Sequence, residues 1–472
     1  VLELTGNIFR EYDIRGIAGE DLTVEMSLLI GKAFGLLLKE LNPNAKHISV
    51  GRDVRLSSND LATGIINGIS SMGLDIYDIG ICPTPLQYFS LYNLKLDGGI
   101  MVTGSHNPPE YNGFKISMGK KTIYGDEIRR LKNIVSKKEW IGHDDKQGKI
   151  KKHDIISEYK NYMLDEFSYL DSPKFKRFKV VVDAGNGTAG TVVPEILSRI
   201  GCDIVPLYCE PDGSFPNHHP DPTVVECIQD LINEVRSSGA DIGVGYDGDA
   251  DRIGVVDSDG NIIWGDQLMI ILSRELLKQK KGIKIIGDVK CSQVMFDDVK
   301  KHGGIPIMWK TGHSLVKQKM KEEGALIAGE FSGHIFIKDR YFGYDDAIYT
   351  TFRLIEIMKN TGKDIKELLS DIPKMHYTPE IRIECPDDKK VDITKKVISR
   401  FIQYKEDGKG MYAIRDVNTI DGIRVRFDNG WGLIRTSNTQ PAVVMRMEAK
   451  DEMSLINYRS FLMNEFHEAL KS

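Results

Sequence analysis

At 472 residues the chain has room for three or four domains of roughly 100–200 residues each. Hydrophobic content of 41% and charged content of 28% fit a soluble protein with sizeable cores, and a net charge of −5 argues against nucleic acid as a partner. The six cysteines form no CxxC pair, no run approaches the ~20 apolar residues of a membrane span, and the N-terminal "VLELTGNIFREYDIRG" has no apolar signal core. These features point to a cytoplasmic protein without a disulfide framework, zinc site or membrane partner; monomer or dimer stays open.

A strand–helix–strand pattern recurs three times along the chain. It begins with strand "HISVGRD" from His47, helix "LATGIINGISSMG" and strand "LDIYDIG". It returns as "FKVVVDAGNG", "TVVPEILSRIG" and "CDIVPLY", then as "IKIIGDVKCSQ", "VMFDDVKKHGG" and "IPIMWK". Gly73, Gly201 and Gly303 close the helices, where a left-handed cap favours glycine. Such units predict right-handed crossovers in three tandem α/β domains with mixed, mainly parallel sheets. From about Pro373 the pattern changes to "YTPEIRIEC", "GIRVRFD", "WGLIRTS" and "AVVMRMEAK", a smaller α+β domain with a largely antiparallel sheet. The joins are expected at 1–150, 151–257, 258–372 and 373–472.

Chemistry is concentrated in loops. "TGSHNPPEYNGFK", Thr103 to Lys115, follows the apolar run "GGIMV" and holds Ser105 in a loop stiffened by proline and glycine. It fails the G-x-S-x-G pattern of a serine hydrolase, and a structural turn capped by the serine is the plain alternative. "GNGTAG", Gly185 to Gly190, satisfies G-x-G-x-x-G. Asp183 there would repel a pyrophosphate, and a tight strand-to-helix turn already accounts for the glycines.

"GYDGDADR", Gly245 to Arg252, places Asp247, Asp249 and Asp251 alternately between two apolar runs. Read as extended chain, the three carboxylates share one side and call for a hard divalent cation. An EF-hand is excluded, because Arg252 stands where its sixth-position Gly belongs and Ser258 where its twelfth-position Glu belongs. "GEFSGH", Gly329 to His334, offers Glu330, Ser332 and His334 to sugar hydroxyls, or is simply a polar turn. "RTSNTQP", Arg435 to Pro441, has the donors to hold a phosphate dianion, or is a plain hairpin turn.

Taken in order, "YDIRG", "TGSHNPPEYNGFK", "DGDADR", "KTGHS", "GEFSGH" and "RTSNTQP" resemble the α-D-phosphohexomutase superfamily along essentially the whole chain, most closely its bacterial phosphomannomutase/phosphoglucomutase branch. The resemblance implies four domains around a central cleft, the fourth TATA-binding-protein-like. It implies that Ser105 is phosphorylated in the active enzyme. Asp247, Asp249 and Asp251, with that phosphate, would bind Mg²⁺. Glu330, Ser332 and His334 would read the sugar, and Arg435, Ser437, Asn438 and Thr439 would hold the distal phosphate. Arg15, His106, Lys115, Arg252, Lys290 and His313 match further residues that contact phosphates or the sugar.

The implied reaction interconverts hexose 1-phosphate and hexose 6-phosphate. A hexose 1,6-bisphosphate serves as intermediate and activator, and Lys115 and His334 are the acid/base candidates. Phe331 stands where glucosamine-specific members tend to carry glutamine and glucose/mannose enzymes methionine, which favours mannose or glucose over glucosamine. Two other readings stay open: a Mg²⁺-dependent phosphatase with Asp247 as nucleophile, and a sugar-phosphate-binding regulator that does no chemistry.

Overall fold

The computed structural model describes residues 8–141, 146–437 and 441–471. Its first sheet runs, in spatial order, Ile14–Ile17, Tyr111–Met118, Gly98–Val102, His47–Arg52, Asp75–Ile81 and Ile150–Lys152. The four strands from Gly98–Val102 onward in that order pair in parallel. Tyr111–Met118 and Ile14–Ile17 then add antiparallel edges. Gly98–Val102 is buried throughout, as a strand covered on both faces must be.

The second sheet repeats the plan in the order Ile262–Ile263, Ile253–Asp257, Ile242–Tyr246, Lys179–Asp183 and Asp203–Leu207. Its last three strands are parallel, and Ile253–Asp257 returns antiparallel to Ile242–Tyr246. A third set places Lys284–Asp288 in parallel between Ile305–Trp309 and Ile327–Gly329. The tail carries an antiparallel sheet with helices Asp387–Asp407 and Glu452–Lys471, as its sequence pattern predicts.

Gly73, Gly201 and Gly303 all take positive φ, at 74°, 81° and 86°, so the helix-closing role read from sequence holds. Cores form separately in the first domain around Phe34, Ile48 and Ile100, and in the tail around Phe401, Ile434 and Phe461. The chain divides into two compact units, 1–275 with 332–369 and 276–331 with 370–472. Among the described residues no helix is long and apolar enough to cross a membrane.

Candidate active site

In the first unit the candidate residues gather where a parallel strand hands over to an antiparallel one. Gly98–Val102 enters the serine loop and Tyr111–Met118 leaves it, with Val102 opposite Phe114. Ser105 sits in that loop at φ +50°, a left-handed conformation that costs a non-glycine residue roughly 1–2 kcal/mol. Its amide donates to Thr103 Oγ1 at 2.8 Å. Its hydroxyl donates to Asp247 Oδ2 at 2.7 Å and lies 3.3 Å from His106 Nδ1. Burial, then Arg252, Arg15 and His334, push His106 well below its ordinary value, so its ring is neutral.

The second hairpin, Ile242–Tyr246 to Ile253–Asp257, carries the three aspartates at its tip. They converge because the chain turns, not because it stays extended as the alternation suggests. Ala250 takes φ +59°, and its amide donates to Asp247 O at 3.0 Å. Asp247 Oδ1 then accepts the amides of Asp251 and Arg252, each at 3.1 Å. All three carboxylates are fully buried, with one oxygen of each within 4.8 Å of the others.

Lys115, from Tyr111–Met118, points into this group. Its Nζ donates to Asp249 Oδ2 at 2.6 Å and also to Asp251 Oδ2. Burial works against its charge, but Asp249 and Asp251 outweigh that and hold Lys115 well above the usual lysine value. Asp247 is pushed well above the carboxylate range by burial and by the other two aspartates. Burial acts on Asp249 in the same direction, yet Lys115 and the Thr84 hydroxyl, 2.5 Å away, keep it low. One lysine cannot balance three carboxylates: Asp249 Oδ1 and Asp251 Oδ1 are buried without a hydrogen-bond donor. Unpartnered carboxylate oxygens in an oxygen-only cluster fit a hard divalent cation.

The loop after Gly329 brings His334 to the same place. Gly333 takes φ +90°, and a Cβ there would lie 2.3 Å from the Ile253 carbonyl oxygen, so only glycine lets the loop lie against the aspartate hairpin. Arg252 Nε donates to His334 Nε2 at 2.9 Å. The other ring nitrogen, Nδ1, faces Asp345 at 3.4 Å and Asp251 at 3.5 Å. Arg15 joins from the edge strand, donating to Asn107 Oδ1 and Asp13 Oδ2, both at 2.7 Å. Ser332 is half-buried.

The second unit gathers another set. Lys290 Nζ lies 2.7 Å from Glu380 Oε1 and 4.0 Å from Asp288 Oδ2. Burial would lower Lys290, but Glu380, Asp288 and Glu330 raise it; in return Glu380, despite its burial, is drawn down to about 2. Glu330 Oε1 accepts the Gly312 amide at 2.8 Å, beside His313 at the start of helix His313–Glu323. Arg435 Nε donates to Asp421 Oδ2 at 2.9 Å, and the same oxygen accepts the Thr311 amide at 3.1 Å. Ser437, just past strand Gly430–Thr436, is buried, and its carbonyl accepts Lys390 Nζ at 2.7 Å. Asn438 and Thr439 lie outside the described residues.

Four models of phosphoglucomutase/phosphomannomutase domains match the chain: alpha/beta/alpha domain I over 6–141, domain II over 157–260, domain III over 264–376 and the C-terminal domain over 380–464. The chain belongs to the phosphoglucomutase/phosphomannomutase family. It is 41% identical to a phosphomannomutase/phosphoglucomutase of Pseudomonas aeruginosa over 462 residues, 98% of this chain and 96% of that one. It is 40% identical to a phosphoglucomutase of Neisseria meningitidis, covering 99% of this chain and 97% of that one. A crystal structure of a family member from Burkholderia thailandensis superimposes with a TM-score of 0.88 at 38% identity, covering 98% of this chain and 97% of that one.

In this phosphoglucomutase/phosphomannomutase family member, sequence reasoning missed the residues that orient the others. Thr84 binds Asp249 through both its hydroxyl and its amide. Asp421 aims Arg435, Glu380 pairs with Lys290, and Asp345 faces His334. A local signal was present for two further residues, Asp53 and Arg55 in "GRDVR" at 51–55, whose charges are out of keeping with the buried places they occupy.

Proposed function

We propose that this phosphohexomutase keeps a phosphoryl group as an ester on Ser105 and exchanges it with a hexose monophosphate, mannose and/or glucose. The bond between phosphorus and the Ser105 oxygen breaks as phosphorus bonds to the sugar's free hydroxyl oxygen, whose proton passes to a base on the protein. The resulting hexose 1,6-bisphosphate turns end for end. Its other phosphate returns to Ser105, and the proton returns to the sugar oxygen. The same bisphosphate reloads an enzyme that has lost its phosphate, which makes it an activator.

The observation that carries this reading is the Ser105 hydroxyl at 2.7 Å from Asp247, inside a buried carboxylate cluster. Asp247, Asp249 and Asp251 would hold Mg²⁺ together with the Ser105 phosphate. Bound there, the cation would neutralise charge on the transferring group. Lys115 and His334 serve as acid and base. Because His334 Nε2 accepts from Arg252, movement of Arg252 onto a phosphoryl oxygen would bare the nitrogen lone pair for the sugar proton. Glu330, Ser332 and His334 read sugar hydroxyls. Arg435, Ser437, Asn438 and Thr439 hold the phosphate that is not reacting, and Arg15, His106, Lys290 and His313 complete the contacts. We keep the domain bounds at 1–150, 151–257, 258–372 and 373–472, and assign the protein to the cytoplasm with a phosphosugar as its partner and neither nucleic acid nor membrane.

The test is phosphopeptide mapping after incubation with glucose 1,6-bisphosphate, beside a coupled assay with mannose, glucose and glucosamine phosphates. Label on the Ser105 peptide and turnover of mannose or glucose phosphate are expected. Label on the Asp247 peptide would replace the nucleophile, and preference for glucosamine phosphate would replace the sugar.

A further inference from the structure

The serine loop carries several carbonyls that turn inward, and buried carbonyls need donors. Arg55 supplies them, although it lies fifty residues earlier in the chain. Its Nη2 donates to Ser105 O at 2.9 Å and Asn107 O at 2.5 Å. Its Nη1 donates to Tyr111 O at 2.9 Å and to Pro108 O. Its Nε donates to Asp53 Oδ2 at 3.2 Å. A guanidinium has five N–H donors, and all five are spent within the fold. None is left for a phosphate, which separates Arg55 from Arg15, Arg252 and Arg435.

Asp53 completes the grip from the other side. Its Oδ2 also accepts the Gly104 amide at 3.1 Å, while Oδ1 accepts the Arg55 amide at 3.0 Å and the Ser58 hydroxyl. Gly104 must be glycine here, because a Cβ would fall 2.4 Å from Arg55 Nε. The second domain closes over the pair: the Phe215 ring centroid lies 5.1 Å from the guanidinium, and a Cβ on Gly213 would meet the Val54 carbonyl oxygen at 2.2 Å. The Arg55 side chain is left with 0% exposure.

We infer that Arg55, held by Asp53, is a positioning residue of the reaction. It fixes the left-handed backbone of Ser105 and thereby the aim of the serine oxygen at the aspartate cluster. A lysine would not replace it, since one ammonium with three donors cannot span four carbonyls. The inference rests on the phosphoserine reading above.

The full-length Arg55→Lys protein tests it. Folding is read by circular dichroism and thermal melting, Ser105 phosphate by peptide mass spectrometry after glucose 1,6-bisphosphate, and kcat and KM by the coupled glucose 1-phosphate assay. With the fold retained, kcat should drop about 100-fold, as for a misplaced reacting group, and Ser105 should load more slowly. KM should stay within about threefold, because the substrate contacts are untouched. A folded variant with wild-type kcat, or a loss confined to KM, overturns the inference. If Arg55→Lys does not fold, Asp53→Asn decides by the same readouts, since it keeps the guanidinium and the shape. A drop in kcat of about tenfold is expected there, and wild-type kcat overturns the inference. A wild-type protein that takes no phosphate on Ser105 defeats the phosphoserine reading itself. A phosphorylated wild type beside an unimpaired variant defeats only the role of Arg55.

Discussion

Around Ser105 one lysine pairs with two of three buried carboxylates, whereas in the second unit Lys290 pairs with Glu380 and Arg435 with Asp421. Among the described residues the first arrangement leaves negative charge and two carboxylate oxygens without donors, which fits a hard divalent cation. In the second, Lys290 and Arg435 are paired before any ligand arrives. Their carboxylates aim them, and on the proposed reading a phosphate would share them rather than find them idle. The two regions thus differ in what they are missing. One lacks a metal's charge, the other a ligand's oxygens, and substitutions should separate them.

The largest effect belongs to Ser105, the proposed nucleophile. Ser105→Ala should lower kcat by about 10⁴-fold or more while the protein melts normally. Turnover near wild type in the coupled assay would remove Ser105 from the reacting region altogether. Next comes the cation. Asp249→Asn keeps the shape but removes one charge from the cluster, and should cost about 10²–10³-fold in kcat. Chelation of the wild-type protein should reproduce the loss and added Mg²⁺ should reverse it. Activity that survives exhaustive chelation would break the contrast, because the reacting region would then be complete without a cation. Arg435→Ala should cost about 10–100-fold in kcat/KM, the worth of one charged hydrogen-bonding group. A loss as large as that of Ser105→Ala would mean that the recognition region does more than hold.

The sequence displayed most of the candidate groups because they lie in short contiguous runs: Ser105 in "TGSHN", and the aspartates in "DGDAD". The three crossover domains were legible for a similar reason, since a glycine cap ends each helix before its second strand. What stayed hidden depends on distance along the chain or on backbone geometry. Arg55 serves carbonyls from Ser105 to Tyr111, and Asp421 serves Thr311 and Arg435, so no local pattern names the partners of either. The turn of the aspartate loop hangs on positive φ at Ala250, a residue type that gives no hint of it. Reading alternation as extended chain therefore singled out carboxylates that do converge, but through the wrong geometry.

The smallest expected effect is at Phe331, the position that the family resemblance ties to sugar choice. Its amide donates to Asp288 Oδ1 at 3.2 Å, and its ring centroid lies 3.8 Å from the Arg446 guanidinium. The backbone is thus held by Asp288 whatever the side chain, while the ring's share is stacking worth about 0.5–2 kcal/mol. Phe331→Met nearly conserves volume and polarity, so kcat/KM for mannose and glucose phosphates should each change by less than about tenfold, and in the same direction. Phe331→Gln places an amide against a guanidinium that already uses its Nη1 on the Lys290 carbonyl. Glutamine there should weaken all three sugars alike, because one polar tip without the rest of a glucosamine site has nothing to discriminate with. A gain of about tenfold or more for glucosamine phosphate in that variant would show instead that this single side chain sets the sugar, and that the second region selects as well as holds.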